Sequence, residues 1–205
     1  MLKSSYAPVG AAAAILLGVC SAANAEVLTF DDIQLGPTGY STTIGDYSTV
    51  YFANFGCYSD LAINDGGFGN GVVSGTQAAF QAYNAPAAVI STNDDGLLLA
   101  SGEFTAAWRN GLQLRVSAYS GEAGNETLIY QEQFTLDTNG PMMLDFGIFG
   151  ARYISFETFG GSSGGFGGDG TNFIMDNLDV SYVPSPAGMM LLGLGACASR
   201  RRRRS

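Results

Sequence analysis

The chain has 205 residues, with 18 acidic residues, 9 basic residues and no histidine. That length suits one domain with appendages, and 46% hydrophobic residues are enough for a core, which excludes wholesale disorder. Without histidine, no Ser-His-Asp or Cys-His catalytic unit can be assembled from this chain.

The charge is segregated. Lys3 opens the chain, Arg200 to Arg204 close it, and only Arg109, Arg115 and Arg152 lie between. All 18 acids fall between Glu26 and Asp179, so residues 26–182 set three bases against 18 acids, a net −15. Phosphate binding needs clustered Lys and Arg, so nucleic acid is excluded as a partner. Acidity of this size suits cation binding, or solubility alone.

Residues 1–25 read as a secretory signal peptide and predict a signal helix. Lys3 is the charged start, Ala7 to Val19 the apolar stretch, and Ala23-Asn24-Ala25 the small-x-small cleavage pattern, with cleavage leaving Glu26 first. The rival reading is a lipoprotein signal acting through Cys20, for which Val19 is a poor neighbour.

Residues 26–182 read as one antiparallel β domain. Runs rich in Val, Ile, Thr, Tyr and Phe are bounded by Gly, Asn, Asp and Pro. Strands are expected over 27–33, 49–55, 87–91, 103–108, 112–119, 127–136, 142–148, 153–158 and 172–182. In Leu112-Gln113-Leu114-Arg115-Val116-Ser117-Ala118 every second residue is apolar, the mark of a strand with one wet face. Eight to ten such strands imply two packed sheets, an all-β antiparallel sandwich of jelly-roll type. Glycine-rich stretches at 64–71 and 160–170 read as connections; they lack the strand-to-helix context and following Lys of a phosphate loop. With Cys20 in the signal and Cys197 in the tail, Cys57 has no disulfide partner in this domain and reads as a small buried hydrophobe.

Three chemistries are open to the domain. Asp31 and Asp32 near its start and Asp176 near its end would converge if the first and last strands pair, and calcium takes such oxygens; the plainer alternative is that they are solvated or accept backbone hydrogen bonds. No EF-hand loop is present. For glycan binding, Trp108, Tyr51, Tyr58, Tyr83, Tyr119 and Phe68 offer ring faces, with Arg109, Asn110 and Asp65 as polar groups. Trp108 and Arg109 at a strand end are the leading pair, against the alternative that a sandwich's single tryptophan belongs to the core. For glycoside hydrolysis, carboxylate pairs abound by chance and none is singled out; Asp94-Asp95 sits in a turn that local hydrogen bonding explains. No catalytic residue is assigned.

Residues 183–205 combine Val183-Pro184-Ser185-Pro186, an apolar stretch from Ala187 to Ser199 and five arginines, Arg200, Arg201, Arg202, Arg203 and Arg204. Thirteen apolar residues are short against the roughly 20 of a full bilayer span. The arginines keep their end cytoplasmic, so the segment reads as a short C-terminal hydrophobic helix that holds the chain in the membrane transiently. An amphipathic helix packed on the domain is the alternative. This tail resembles the PEP-CTERM sorting signal of bacteria, with Ser185 where that family usually has glutamate. The resemblance implies processing by an exosortase at the bacterial membrane and display at the cell surface or in an extracellular polysaccharide matrix. The patterns at 87–91, 104–112, 116–119 and 171–180 are also similar to the jelly-roll ectodomains found ahead of such tails, and the closing pattern to carbohydrate-binding modules. Together these resemblances imply an adhesive, structural or glycan-binding role, with a glycan-active enzyme of jelly-roll type as the alternative.

Overall fold

The structure is a computed structural model that describes residues 26–82, 87–93 and 95–183. The expected signal helix, the Ala23 and Ala25 cleavage positions, Pro184, Ser185, Pro186, the apolar tail and Arg200 to Arg204 all lie outside the described residues. Among the described residues no helix is long and apolar enough to cross a membrane.

The domain is an antiparallel β-sandwich. In chain order its strands are β1 (Glu26–Leu28), β2 (Tyr40–Ser41), β3 (Gly45–Tyr47), β4 (Val50–Ala53) and β5 (Phe55–Ser59). A single helical turn, α1 (Gly67–Asn70), precedes β6 (Gln77–Gln81), β7 (Ala88–Ser91), β8 (Leu97–Ala106) and β9 (Arg109–Ser120). The chain ends with β10 (Thr127–Leu136), β11 (Met142–Ala151), β12 (Tyr153–Ser163) and β13 (Phe173–Tyr182). Sheet A runs β11-β8-β13-β6-β5-β2, with β1 also paired to β13; sheet B runs β10-β9-β12-β7-β4-β3.

Period-two alternation drives this arrangement, because successive side chains point to opposite faces of a strand. On β9 the inward residues Leu112, Leu114, Val116 and Ala118 are fully buried. They meet a spine of phenylalanines from both sheets: Phe55 packs edge-on against Phe156 and Phe173, with centroids 5.9 Å apart in each pair, and Phe104 lies 5.9 Å from Phe173. Rings at such spacings contribute beyond their area burial, roughly 0.5–1.5 kcal/mol per pair.

The expected strands exist, but several boundaries move. β8 begins at Leu97 rather than at 103, and β12 runs on to Ser163, taking the first glycines of the 160–170 stretch into the sheet. The expected strand at 49–55 is two, β4 and β5, which join different sheets across Asn54 at φ 60°. The first strand stops at Leu28, because Phe30 adopts φ 62° and turns its ring into the core. Asp31 and Asp32 therefore lie in the following turn and not on β1.

First and last strands do pair, Glu26 opposite Val180 through Leu28 opposite Leu178. The backbone N–H of Val183 donates to Gly96 O at 2.7 Å, the last described tie between the domain and the tail.

Candidate functional site

The two outer faces of the sandwich differ in what lies on them. On sheet A, residues 60–76 fold across the strands. Tyr58, Phe68, Ala78, Phe80, Ala107 and Ile174 form a second buried cluster there, with Trp108 packed against it. The Tyr58 and Phe68 rings meet edge-on at 4.9 Å, and the Tyr58 hydroxyl donates to Phe68 O at 2.8 Å. The indole of Trp108 lies 5.0 Å from the Phe68 ring. Gly168 sits so close to the indole that a Cβ there would fall 2.5 Å from Trp108 Cε2.

Carboxylates hold this covering segment down. Asp176 is fully buried. Its Oδ2 accepts from Val73 N at 2.7 Å and Ser74 N at 2.9 Å, and its Oδ1 from Asn177 N at 2.7 Å. Asp31 Oδ1 accepts from Thr76 N at 2.7 Å and Gln77 N at 3.1 Å. Between them Gly75 adopts φ +55°, and a Cβ there would fall 2.0 Å from Asp31 Oδ1. Burial raises the pKa of Asp176 above the usual carboxylate range, and these amides oppose the shift. Asp32 accepts from the Tyr47 hydroxyl at 2.5 Å. The structure thus brings Asp31 and Asp176 to one loop, where backbone N–H dipoles stabilise them as a cation otherwise would. Among the described residues, no group of three or more acidic or cysteine side chains is arranged to hold a metal ion.

The polar residues expected beside Trp108 are likewise engaged. The Arg109 guanidinium donates to Gly160 O, Gly161 O and Asp169 O, and forms an ion pair with Asp169 at 2.9 Å. Asn110 Oδ1 accepts from Thr138 N and from its hydroxyl, and Asp65 Oδ2 accepts from Gly167 N at 2.9 Å. These three residues tie glycine-rich and turn segments to the sheet ends. Tyr83 lies outside the described residues. Cys57 is buried, and burial, with Asp31 next, pushes its thiol up to about 12, so it stays protonated and unreactive at neutral pH.

Sheet B presents its outer face to solvent. Register across five strands places Tyr51, Ser91, Tyr153, Tyr119 and Leu128 in one row, with Asp46 at its end. The Tyr119 and Tyr153 rings stack at 4.8 Å with planes 17° apart. Tyr51 is 47% exposed and borders a cleft of about 470 Å³ formed with Asp46, Ser48, Ser91 and Asn93. Burial, with Glu126 second, raises the pKa of the Tyr153 phenol, which therefore stays neutral and able to donate.

Further along the same face the rows become polar. Ser155, Ser117 and Gln131 form the next, with Gln131 Nε2 donating to Ser117 Oγ at 3.0 Å. Glu157, Arg115 and Gln133 follow, Arg115 donating to Glu157 through Nε at 3.0 Å and also through Nη2. Phe159, Gln113 and Thr135 come last; Gln113 Oε1 accepts from Gln133 and Thr135, and Arg115 lies 5.7 Å from the Phe159 ring centre. Ser155 and Ser117 are buried, so the open polar floor between the two aromatic ends is made by Gln131, Gln133, Thr135 and the Arg115–Glu157 pair.

Sequence reasoning names Tyr51 and Tyr119 but misses Tyr153, Phe159, Arg115 and the three glutamines. The signal is present: the alternation that buries Leu112, Leu114 and Val116 aims Gln113, Arg115, Ser117 and Tyr119 outward. What sequence does not carry is which strands are neighbours.

No family model matches the sequence, and no curated protein matches it. Among solved structures it is similar to the K2 cleaved adhesin domain of Lys-gingipain, at 13% identity over 79% of this chain and 99% of that one, with a TM-score of 0.47. A CBM4 structure aligns over 63% of this chain and 71% of its own at 11% identity, with a TM-score of 0.30. The enzymatically active domain of tailspike protein 4 of bacteriophage CBA120 aligns over 76% of this chain but 20% of its own length, at 12% identity and a TM-score of 0.32.

Proposed function

We propose that the protein is exported and acts as an adhesive, glycan-binding β-sandwich at the cell surface or in an extracellular polysaccharide matrix, without chemical turnover. The observation that carries the binding role is the outward-facing row Tyr51-Ser91-Tyr153-Tyr119 on sheet B, exposed at Tyr51 and half-buried at the other three, backed by the exposed amides of Gln131 and Gln133. Sugars offer an apolar ring face and a fringe of hydroxyls. The tyrosine rings match the first, and the exposed Gln131 and Gln133 side chains, each both donor and acceptor, match the second. The signal sequence at 1–25 and the Pro-x-Pro, apolar and arginine tail support export and exosortase processing.

Two experiments test the two halves. For binding, the purified chain is screened against immobilised polysaccharides, with reducing-end assays run on every binder. Retention without release of sugar is expected. Release of sugar that one carboxylate-to-amide change abolishes would replace the binding role with an enzymatic one. For export, the tagged chain is expressed in an exosortase-bearing host and fractionated. A surface or secreted form lacking the tail is expected, and an unprocessed cytosolic chain would refute the export half.

A further inference from the structure

Resting on the glycan-binding reading, we infer that sheet B takes a linear, uncharged polysaccharide laid along β9 and β12, spanning about four sugar units from the Tyr119–Tyr153 pair to Phe159. Tyr153 and Phe159 both face outward on β12, six residues apart. At about 3.3 Å per residue the two aromatic ends are separated by roughly 20 Å. A single sugar reaches one of them; an extended oligosaccharide reaches both. Between them Glu157 on β12 and Arg115 opposite it on β9 are half-exposed, while Ser155 and Ser117 are buried beneath the face. Gln131 and Gln133 flank these on β10. Such a floor suits ring hydroxyls along the length of a chain.

Charge decides between neutral and anionic chains. The domain has three arginines, and two of them are ion-paired. Arg115 pairs with Glu157 within the floor, Arg109 is tied to Asp169 and the glycine-rich segment, and Arg152 lies in the field of Glu126. Asp46 and Glu126 border the tyrosine end. A uronate or sulfate group on the floor would find its one arginine, Arg115, already paired with Glu157, and would approach a domain of net charge −15. An uncharged chain escapes that repulsion, so its binding is insensitive to salt, which screens such forces over about 8–10 Å.

The test uses the full chain on an array of linear neutral oligomers of one to eight units, with alginate and a sulfated glycan as anionic probes, in 50 mM and 500 mM NaCl. Affinity for the neutral oligomers should rise with length, level off near four units, and hold across the two salt concentrations. Phe159→Ala should weaken the tetramer about tenfold and leave the dimer unchanged, while Tyr119→Ala weakens both. Circular dichroism verifies that each variant folds. Preference for alginate, equal affinity for dimer and tetramer, or an unaffected tetramer in Phe159→Ala would overturn the inference while leaving glycan binding intact. Absence of binding to every probe would instead remove the glycan-binding reading itself.

Discussion

The outer faces of the two sheets start from the same materials, aromatic residues interleaved with polar ones, and end differently. On sheet A, residues 60–76 lie across the strands and absorb the aromatics into a second core: Tyr58 is fully buried and its hydroxyl is spent on Phe68 O. On sheet B, Tyr51, Phe159, Gln131 and Gln133 stay exposed. The contrast teaches that aromatic content marks a binding surface only where no other segment of the chain has already used it. Trp108 and Arg109 serve the covered side, and the tyrosine row serves the open one.

The sharpest way to break the contrast is to free the covering segment. Asp176→Ala strips three backbone N–H groups of their acceptor, and Gly75→Ala drives a methyl group into Asp31. Each should cost about 3 kcal/mol or more in urea unfolding. Phe68→Ala removes the ring at the centre of the satellite core and should cost about 3 kcal/mol in the same measurement. Glycan binding by the folded fraction should be unchanged in all three, because sheet B is untouched. On the other side, Tyr119→Ala and Tyr153→Ala should each weaken binding about tenfold while costing about 1 kcal/mol or less of stability, since they lose one partly exposed stacked pair.

A smaller effect follows from pH. Burial raises the folded-state pKa of Asp176 above its value in the unfolded chain. The folded protein therefore takes up this proton first as pH falls. The stability tied to Asp176 is fully present below the unfolded pKa and is lost as pH rises through the folded one, with a slope of at most about 1.4 kcal/mol per pH unit. Unfolding midpoints of the natural chain and Asp176→Asn, compared between pH 7 and pH 4, should diverge toward the acidic end. A gap that narrows there would reverse the assigned sign.

Much of the fold was legible because strand signals are local. The stretch 127–136 reads as a strand from its Thr, Ile, Tyr and Phe content and is β10 to the residue. The tight turns between β2 and β6 were not legible, since two- and three-residue strands leave no periodic pattern to detect. Convergence of Asp31, Asp32 and Asp176 was expected on condition that the first and last strands pair; the strands do pair, but Asp31 and Asp32 lie in the turn after β1, and Asp32 accepts from Tyr47 instead. That Asp31 and Asp176 find their partners in backbone amides of residues 73–77 depends on a loop draped over the sheet, which spacing in the chain does not encode. Tyr119 was visible as a ring face, whereas its stacking on Tyr153 needs the β9–β12 register, a contact between residues 34 positions apart.

Titration of a neutral linear tetrasaccharide into Tyr119→Ala and, side by side, into Trp108→Phe tests the central assignment most directly. About a tenfold loss of affinity is expected for Tyr119→Ala and the natural affinity for Trp108→Phe. Undiminished binding by Tyr119→Ala together with loss in Trp108→Phe would move the site to the covered side and contradict it.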